Sequence, residues 1–169
     1  MGKLRGMKIV SGGQTGVDRA ALDWAIRAGF EHGGWCPEGR RAENGAIPAH
    51  YSLKEVPGRG YLERTRRNVK DSDATVIFSR SAELRGETLK TAEFCVEIRK
   101  PFLRLSAEVF TAFEAALLLR SFMIRRKIGV LNVAGPRESQ EPAAAIYAAK
   151  VLELAFGDWK APAKRGIRR

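Results

Sequence analysis

Lys8-Ile9-Val10-Ser11-Gly12-Gly13-Gln14-Thr15-Gly16-Val17-Asp18-Arg19-Ala20-Ala21-Leu22 is the stretch on which the fold turns. A short apolar run over residues 7–10 reads as a buried strand. Residues 11–16 hold three glycines in six positions and read as a loop. Val17–Ala28 then places Ala21, Leu22, Ala25 and Ala28 on one stripe, the period of an amphipathic helix. A strand that runs through a glycine-rich turn into a helix opens an α/β domain. It also makes an anion cradle, because the turn exposes backbone N–H groups and the helix N-terminus adds partial positive charge. The spacing is neither GxGxxG nor GxxxxGK[ST]. Gly12, Gly13, Gln14, Thr15, Gly16, Asp18 and Arg19 are therefore candidate phosphate contacts. Thr15-x-x-Asp18 also matches a capping box, so Asp18 reads equally well as a helix cap.

The same alternation continues along the chain. Residues 32–36 read as a second strand and 37–50 as a long loop rich in glycine, proline and polar side chains. Residues 52–56 read as an edge strand, Tyr61–Lys70 as a helix, and 74–78 as a buried strand. A loop over 81–88 leads to a helix over 91–99 and a strand over 101–105. A long helix spans 107–126, with Phe110, Phe113, Leu117 and Ile124 as its core face. A strand over 128–133, a loop over 134–140 and a helix at Pro142–Phe156, with proline in its first turn, close the pattern. Short apolar runs alternating with amphipathic ones imply a Rossmann-like three-layer α/β/α sandwich with a mainly parallel sheet. The expected organisation is one ligand-binding domain over residues 1–156 and a basic tail over 157–169.

In such folds ligands sit beyond the C-terminal ends of the strands, so the loops there carry the other candidates. Arg40 follows the second strand and has the fork geometry for a phosphate. Arg64 and Asn68, four apart on a helix, share a face and could present a guanidinium and an amide to one ligand. Gly86, Thr88 and Thr91 lie between a strand and a helix, where a threonine hydroxyl could cap the helix or bond a phosphate. Arg137 follows the last strand. Each also has a plain reading as a turn residue or a solvated charge.

The 169 residues carry 44% hydrophobic and 29% charged residues, which excludes general disorder, and a formal net charge of +11, which predicts an anionic partner. Much of that charge lies at the ends, in Lys3, Arg5, Lys160, Lys164, Arg165, Arg168 and Arg169. The two cysteines, Cys36 and Cys95, form no CxxC or Cys/His cluster, so reduced thiols in a cytoplasmic protein are expected, with no metal site. The opening MGKLRG is too short and polar for a signal peptide, and Glu114 and Arg120 break the apolar run at 113–123, so no membrane span is expected. His32 and His50 are isolated, and no catalytic constellation can be read. A nucleic-acid binder is a further reading of the charge, but aromatic residues are sparse near the basic segments, where stacking would need them.

Five motifs stand in one order: SGGQTGVDRAALDWA, GGWCPEGRRAENGAIP, YLERTRRNVKDSDATVIF, Gly86–Thr88 and LNVAGPRES. Together, over residues 7–155, they resemble the putative molybdenum carrier family. That family belongs to a Rossmann-like superfamily with the lonely-guy cytokinin-activating hydrolases and DNA-processing protein A. The resemblance implies a binding or carrier protein for molybdenum cofactor, a pterin with a terminal phosphate, or for a nucleotide-like ligand. It implies a homo-oligomer and, for a carrier, a molybdoenzyme or a cofactor-biosynthesis partner. The family's motifs fall on Gly12, Gly13, Gln14, Thr15, Gly16, Asp18 and Arg19, on Cys36, Pro37, Gly39 and Arg40, and on Arg64, Thr65 and Asn68. This chain departs from the family at Glu38, at Asn44 and at Glu87, which replaces glycine in a Gly-Gly-Thr step and would set a negative charge near an anion site. The hydrolase cousins carry PGGxGTxxE. With Thr88 on their threonine, Thr91 falls on the glutamate, so N-glycosidic hydrolysis of a nucleoside monophosphate would have to use Glu87, Glu93 or Asp18.

Overall fold

A computed structural model describes residues 6–58 and 60–159. Residues 1–5 and most of the basic tail lie outside the described residues. Five parallel strands form the central sheet: β1 (Lys8–Val10), β2 (Glu31–Gly33), β7 (Ala74–Ser79), β8 (Phe102–Ser106) and β9 (Val130–Ala134), in the order β2-β1-β9-β7-β8. Every residue of β7 is buried, as expected of a strand covered on both faces. The helices are α1 (Val17–Ala28), α2 (Tyr61–Lys70), α3 (Gly86–Ile98), α4 (Ala112–Arg125) and α5 (Pro142–Phe156). Helix α5 packs between α1 and α4 in one layer, while α2 and α3 pack together in the other. The result is the Rossmann-like α/β/α sandwich expected from the sequence. Because β9 leads to α5 in one layer and β7 leads to α3 in the other, a crevice opens between these neighbouring strands at their C-terminal ends.

The expected strand over 32–36 is two strands. Gly34 adopts φ +127°, and a Cβ there would lie 2.2 Å from the Ser11 carbonyl oxygen. The chain crosses the end of β1 in contact with its backbone and turns out of the main sheet. β3 (Trp35–Pro37) then pairs in parallel with β6 (Lys54–Val56) in a separate two-stranded sheet, so residues 52–56 supply no edge of the main one. The segment read as a long loop contains a 3-10 turn (Glu38–Arg40) and the hairpin of β4 (Arg41–Ala42) and β5 (Gly45–Ala46).

Helix α3 begins at Gly86 rather than 91, which brings Glu87 and Thr88 into its first turn. Helix α4 begins at Ala112 because Thr111 caps it: the Thr111 hydroxyl accepts from Glu114 N–H, and the Glu114 carboxylate accepts from Thr111 N–H. Its inward face is Ala115, Ala116, Leu119 and Met123, the small alanines allowing close approach. The stripe expected inside is turned out, with Phe113 64% and Leu117 55% exposed and Ile124 also exposed. Phe110 precedes the helix and packs against the core only in part. Helix α4 is apolar on two sides, and its partner α5 decides which side is covered.

Gly34→Ala is expected to destabilise the protein by roughly 2–4 kcal/mol, since it sets a Cβ against backbone at a left-handed φ. Chemical denaturation of the variant against the parent measures the loss.

Candidate functional site

The crevice is floored by Asn132 of β9 and the turn that follows it, and walled by the first turns of α1 and α3 and by one face of α2. Gly12, Gln14, Asp18, Arg64, Asn68, Thr88, Thr91 and Arg137 line it, together with Thr65, Glu87 and Gln140. Residues distant in sequence thus converge where the crevice was expected.

At its centre Arg64 Nη1 donates to Asp18 Oδ2 at 3.1 Å, and both side chains are buried. Asp18 Oδ2 also accepts the Gln14 N–H at 3.2 Å. Burial pushes the Asp18 carboxyl above its ordinary range, against the pull of Arg64 and the Gln14 amide. The capping box is absent: Gly16 stands at the N-cap with no side-chain cap bond, and Asp18 faces the cleft. Gly12 makes the arrangement possible, because a Cβ there would lie 1.5 Å from Arg64 Nη1. Part of the expected anion cradle is thereby filled by the chain's own carboxylate.

A second acid reaches the same cleft. Glu87 Oε2 lies 2.9 Å from Arg137 Nη2 and 3.9 Å from Arg64 Nη2. Asp18, Arg64, Glu87 and Arg137 form a chain of alternating charge, and both guanidinium groups lie over the Tyr61 ring, 5.9 and 5.7 Å from its centre.

Gln14 is held by its oxygen. Oε1 accepts from both Thr15 N–H and Glu43 N–H at 3.0 Å, which fixes the orientation of the amide. Its Nε2 is buried with no acceptor, as is Nε of Arg64, among the described residues. An orphaned buried donor costs about 1–3 kcal/mol, and both of these belong to residues that line the cleft.

The hairpin tip clasps two loops together. Glu43 accepts from the Thr15 hydroxyl and from the Ser139 amide and hydroxyl, at 3.1 and 2.5 Å for the latter two, and Arg19 Nη2 donates to Asn44 Oδ1 at 3.1 Å. These bonds hold the Glu43 carboxyl below its ordinary range.

Several candidates have other work. Arg40 donates to the carbonyls of Ile47, Pro48, Tyr51 and Leu53 at 2.7–3.4 Å, so its fork organises the 47–53 turn rather than reaching the cleft. Arg19 Nε bonds the Gly13 carbonyl at 3.1 Å. Gly13 faces Leu53 and Ile47, and Gly16 (φ +79°) lies against the Pro136 carbonyl. Thr15 belongs to the clasp. Asn68 lines the cleft, but its amide exchanges two bonds with the Trp35 backbone, at 2.8 and 2.9 Å, and so anchors β3. Thr91 does not cap α3; its hydroxyl bonds the Glu87 carbonyl at 3.0 Å. Gly86 borders a neighbouring chamber of about 320 Å³, which shares Thr88 and Gln140 with the cleft. Glu93 pairs with Lys90 at the surface, apart from the cleft.

Asn132 and Glu43 stand only inside longer motifs in the sequence reading, neither as a site residue of its own, and Gln140 only ends a loop. Asn132 had a signal, a polar residue inside a buried strand, where its Nδ2 donates to Thr75 Oγ1 at 3.2 Å. Neither Cys36 nor Cys95 lines the cleft. Both are buried free thiols that burial makes harder to ionise.

This geometry defines a Rossmann-like protein with a polar, charge-paired cleft at the C-terminal edge of its sheet. Residues 9–156 match the family model described as the circularly permutated YpsA SLOG family, and the chain belongs to that family. The crystal structure of a protein named putative molybdenum carrier protein, from Syntrophus aciditrophicus SB, is similar over 90% of this chain and 96% of its own, with 41% sequence identity and a TM-score of 0.87. Comparison with curated protein sequences gave no match. Among the described residues no helix is long and apolar enough to cross a membrane.

Glu43→Gln tests the clasp. A depressed carboxyl stabilises the fold above its unfolded pKa, and that contribution is lost as pH falls through the folded value. The parent is expected to exceed the variant in Tm at neutral pH, with the difference shrinking as pH drops below the ordinary glutamate range. Thermal melts of both proteins from pH 7 to pH 3 measure this.

Proposed function

We propose that this chain is a cytoplasmic carrier that binds an anionic small molecule, a phosphorylated pterin or nucleotide-like compound, in the cleft between α1, α2 and α3. The observation that carries this reading is the pair of buried donors, Gln14 Nε2 and Arg64 Nε, without acceptors. Phosphate oxygens are the acceptors such donors lack, and Arg137 at the rim adds a second guanidinium. Molybdenum cofactor ranks first among ligands because of the name carried by the Syntrophus protein. The lining fits the organic part of that group. Arginine, amide and threonine groups suit a phosphate and the polar edge of a pterin, whereas no thiol or imidazole lines the cleft. The metal would stay on the ligand's own donor atoms, with Gln14, Arg64 and Arg137 holding the phosphate.

A second reading, hydrolysis of a nucleoside monophosphate at its N-glycosidic bond, draws on one observation: two carboxylates, Asp18 and Glu87, share the cleft. Release of ribose 5-phosphate on incubation with nucleoside monophosphates would favour it over storage.

A homo-oligomer is part of the same proposal. The outward stripe of α4 is the surface best suited to a second copy, and a two-fold antiparallel pairing would set the Glu114 end of one helix beside the Arg125 end of the other.

Native mass spectrometry of the purified protein, with metal analysis and with added pterin cofactor or nucleotide, tests the ligand. Stoichiometric uptake of pterin with molybdenum supports the carrier reading, and uptake of nucleotide alone moves the ligand to that class. Arg64→Lys and Arg137→Gln are each expected to weaken uptake about tenfold to a hundredfold, the worth of a charged hydrogen bond. Leu117→Glu is expected to lower the mass in light scattering without changing the circular dichroism spectrum. An unchanged mass would remove α4 from the interface.

A further inference from the structure

The two acids of the cleft are held very differently. Asp18 is 4% exposed, accepts a backbone N–H as well as Arg64, and lies against a loop that needs glycine beside it. Glu87 has one close contact, to Arg137 at 2.9 Å, and a long one to Arg64 at 3.9 Å. Its side chain is 35% exposed, and it stands in the first turn of α3 with solvent open to it. One carboxylate is built in; the other is lightly tethered.

Glu87 also stands in the way. Its carboxylate lies between the guanidinium groups of Arg64 and Arg137, where an oxyanion would draw on both. The cleft beside it is open to solvent and narrow, with only about 30 Å³ of accessible space. The adjoining chamber, about 320 Å³, has room for the body of a ligand and meets the cleft at Thr88 and Gln140. A phosphate carried in by that body finds its arginines already paired.

We propose that Glu87 is a resident stand-in for the ligand's anion, displaced from Arg137 and Arg64 when a phosphate enters. This rests on the reading of the cleft as an oxyanion site. Binding is then an exchange of one anion for another, and the competition from Glu87 holds affinity down. It selects for ligands whose phosphate pairs with the two arginines better than a tethered carboxylate does. It also keeps the arginines paired while no ligand is bound, so that the cleft carries no naked charge.

Glu87→Gln keeps the shape and removes the charge; Glu87→Ala removes both. Isothermal titration with adenosine 5′-monophosphate, inorganic phosphate and unphosphorylated adenosine, on the full chain and both variants, tests the exchange. Both variants are expected to bind the two phosphate-bearing probes about tenfold tighter than the parent, the scale of one charge-assisted contact, with no change for adenosine. In phosphate-free buffer Glu87→Gln is expected to melt lower than the parent and to recover on adding phosphate. If the parent binds and the variants bind no tighter, or the lost Tm does not return with phosphate, Glu87 is a structural ion pair and the exchange is wrong. If neither parent nor variants respond to any phosphate-bearing probe, the oxyanion reading of the cleft fails and takes the exchange with it.

Discussion

The buried Asp18–Arg64 pair is the constraint around which the molecule is arranged. Asp18 opens α1 in one helical layer; Arg64 belongs to α2 in the other. Their contact joins the layers around the C-terminal edge of the sheet. It also dictates the loop beneath it, since only glycine at position 12 leaves room for the guanidinium. Breaking a buried pair by removing one partner costs about 3–5 kcal/mol, because the survivor is left charged and unpaired. A cleft built on such a pair is rigid at its base, and its freedom lies at the rim, with Glu87 and Arg137.

Around this base the loops are tied by side chains more than by backbone ladders. Gln14 receives the amides of Thr15 and Glu43, Glu43 receives the Thr15 hydroxyl and the Ser139 amide and hydroxyl, and Asn68 substitutes for a neighbouring strand along Trp35. The hairpin of β4 and β5 is thereby fixed beside the glycine-rich turn. The orphaned Nε2 of Gln14 follows directly from the double acceptance by its oxygen.

Much of the site was legible because glycine, arginine and period are local signals. The strand-loop-helix opening, the helical bounds of α1, α2 and α5, and eight of the cleft-lining residues follow from spacing and from the loops at strand ends. The failures have a common cause. Arg40 has the chemistry of a phosphate ligand, yet the 47–53 turn offers it carbonyls first. Asp18 has the spacing of a cap, yet Arg64 comes from another layer to claim it. Asn132 lies in the LNVAGPRES segment, yet nothing local beyond its polar side chain separates it from its buried strand neighbours.

The sequence by itself determined the α/β alternation, the buried strand at 74–78, the place of the glycine-rich turn and the residue types gathered there. Hydrophobic period and glycine placement act within a few residues and need no partner. Only the tertiary structure decided which apolar side of α4 is covered, where the chain leaves the main sheet at Gly34, and that Glu87 turns inward to meet Arg137. These outcomes depend on what another segment brings to the same point in space. A side chain with two chemically sound options takes the one that its distant neighbours leave unsatisfied.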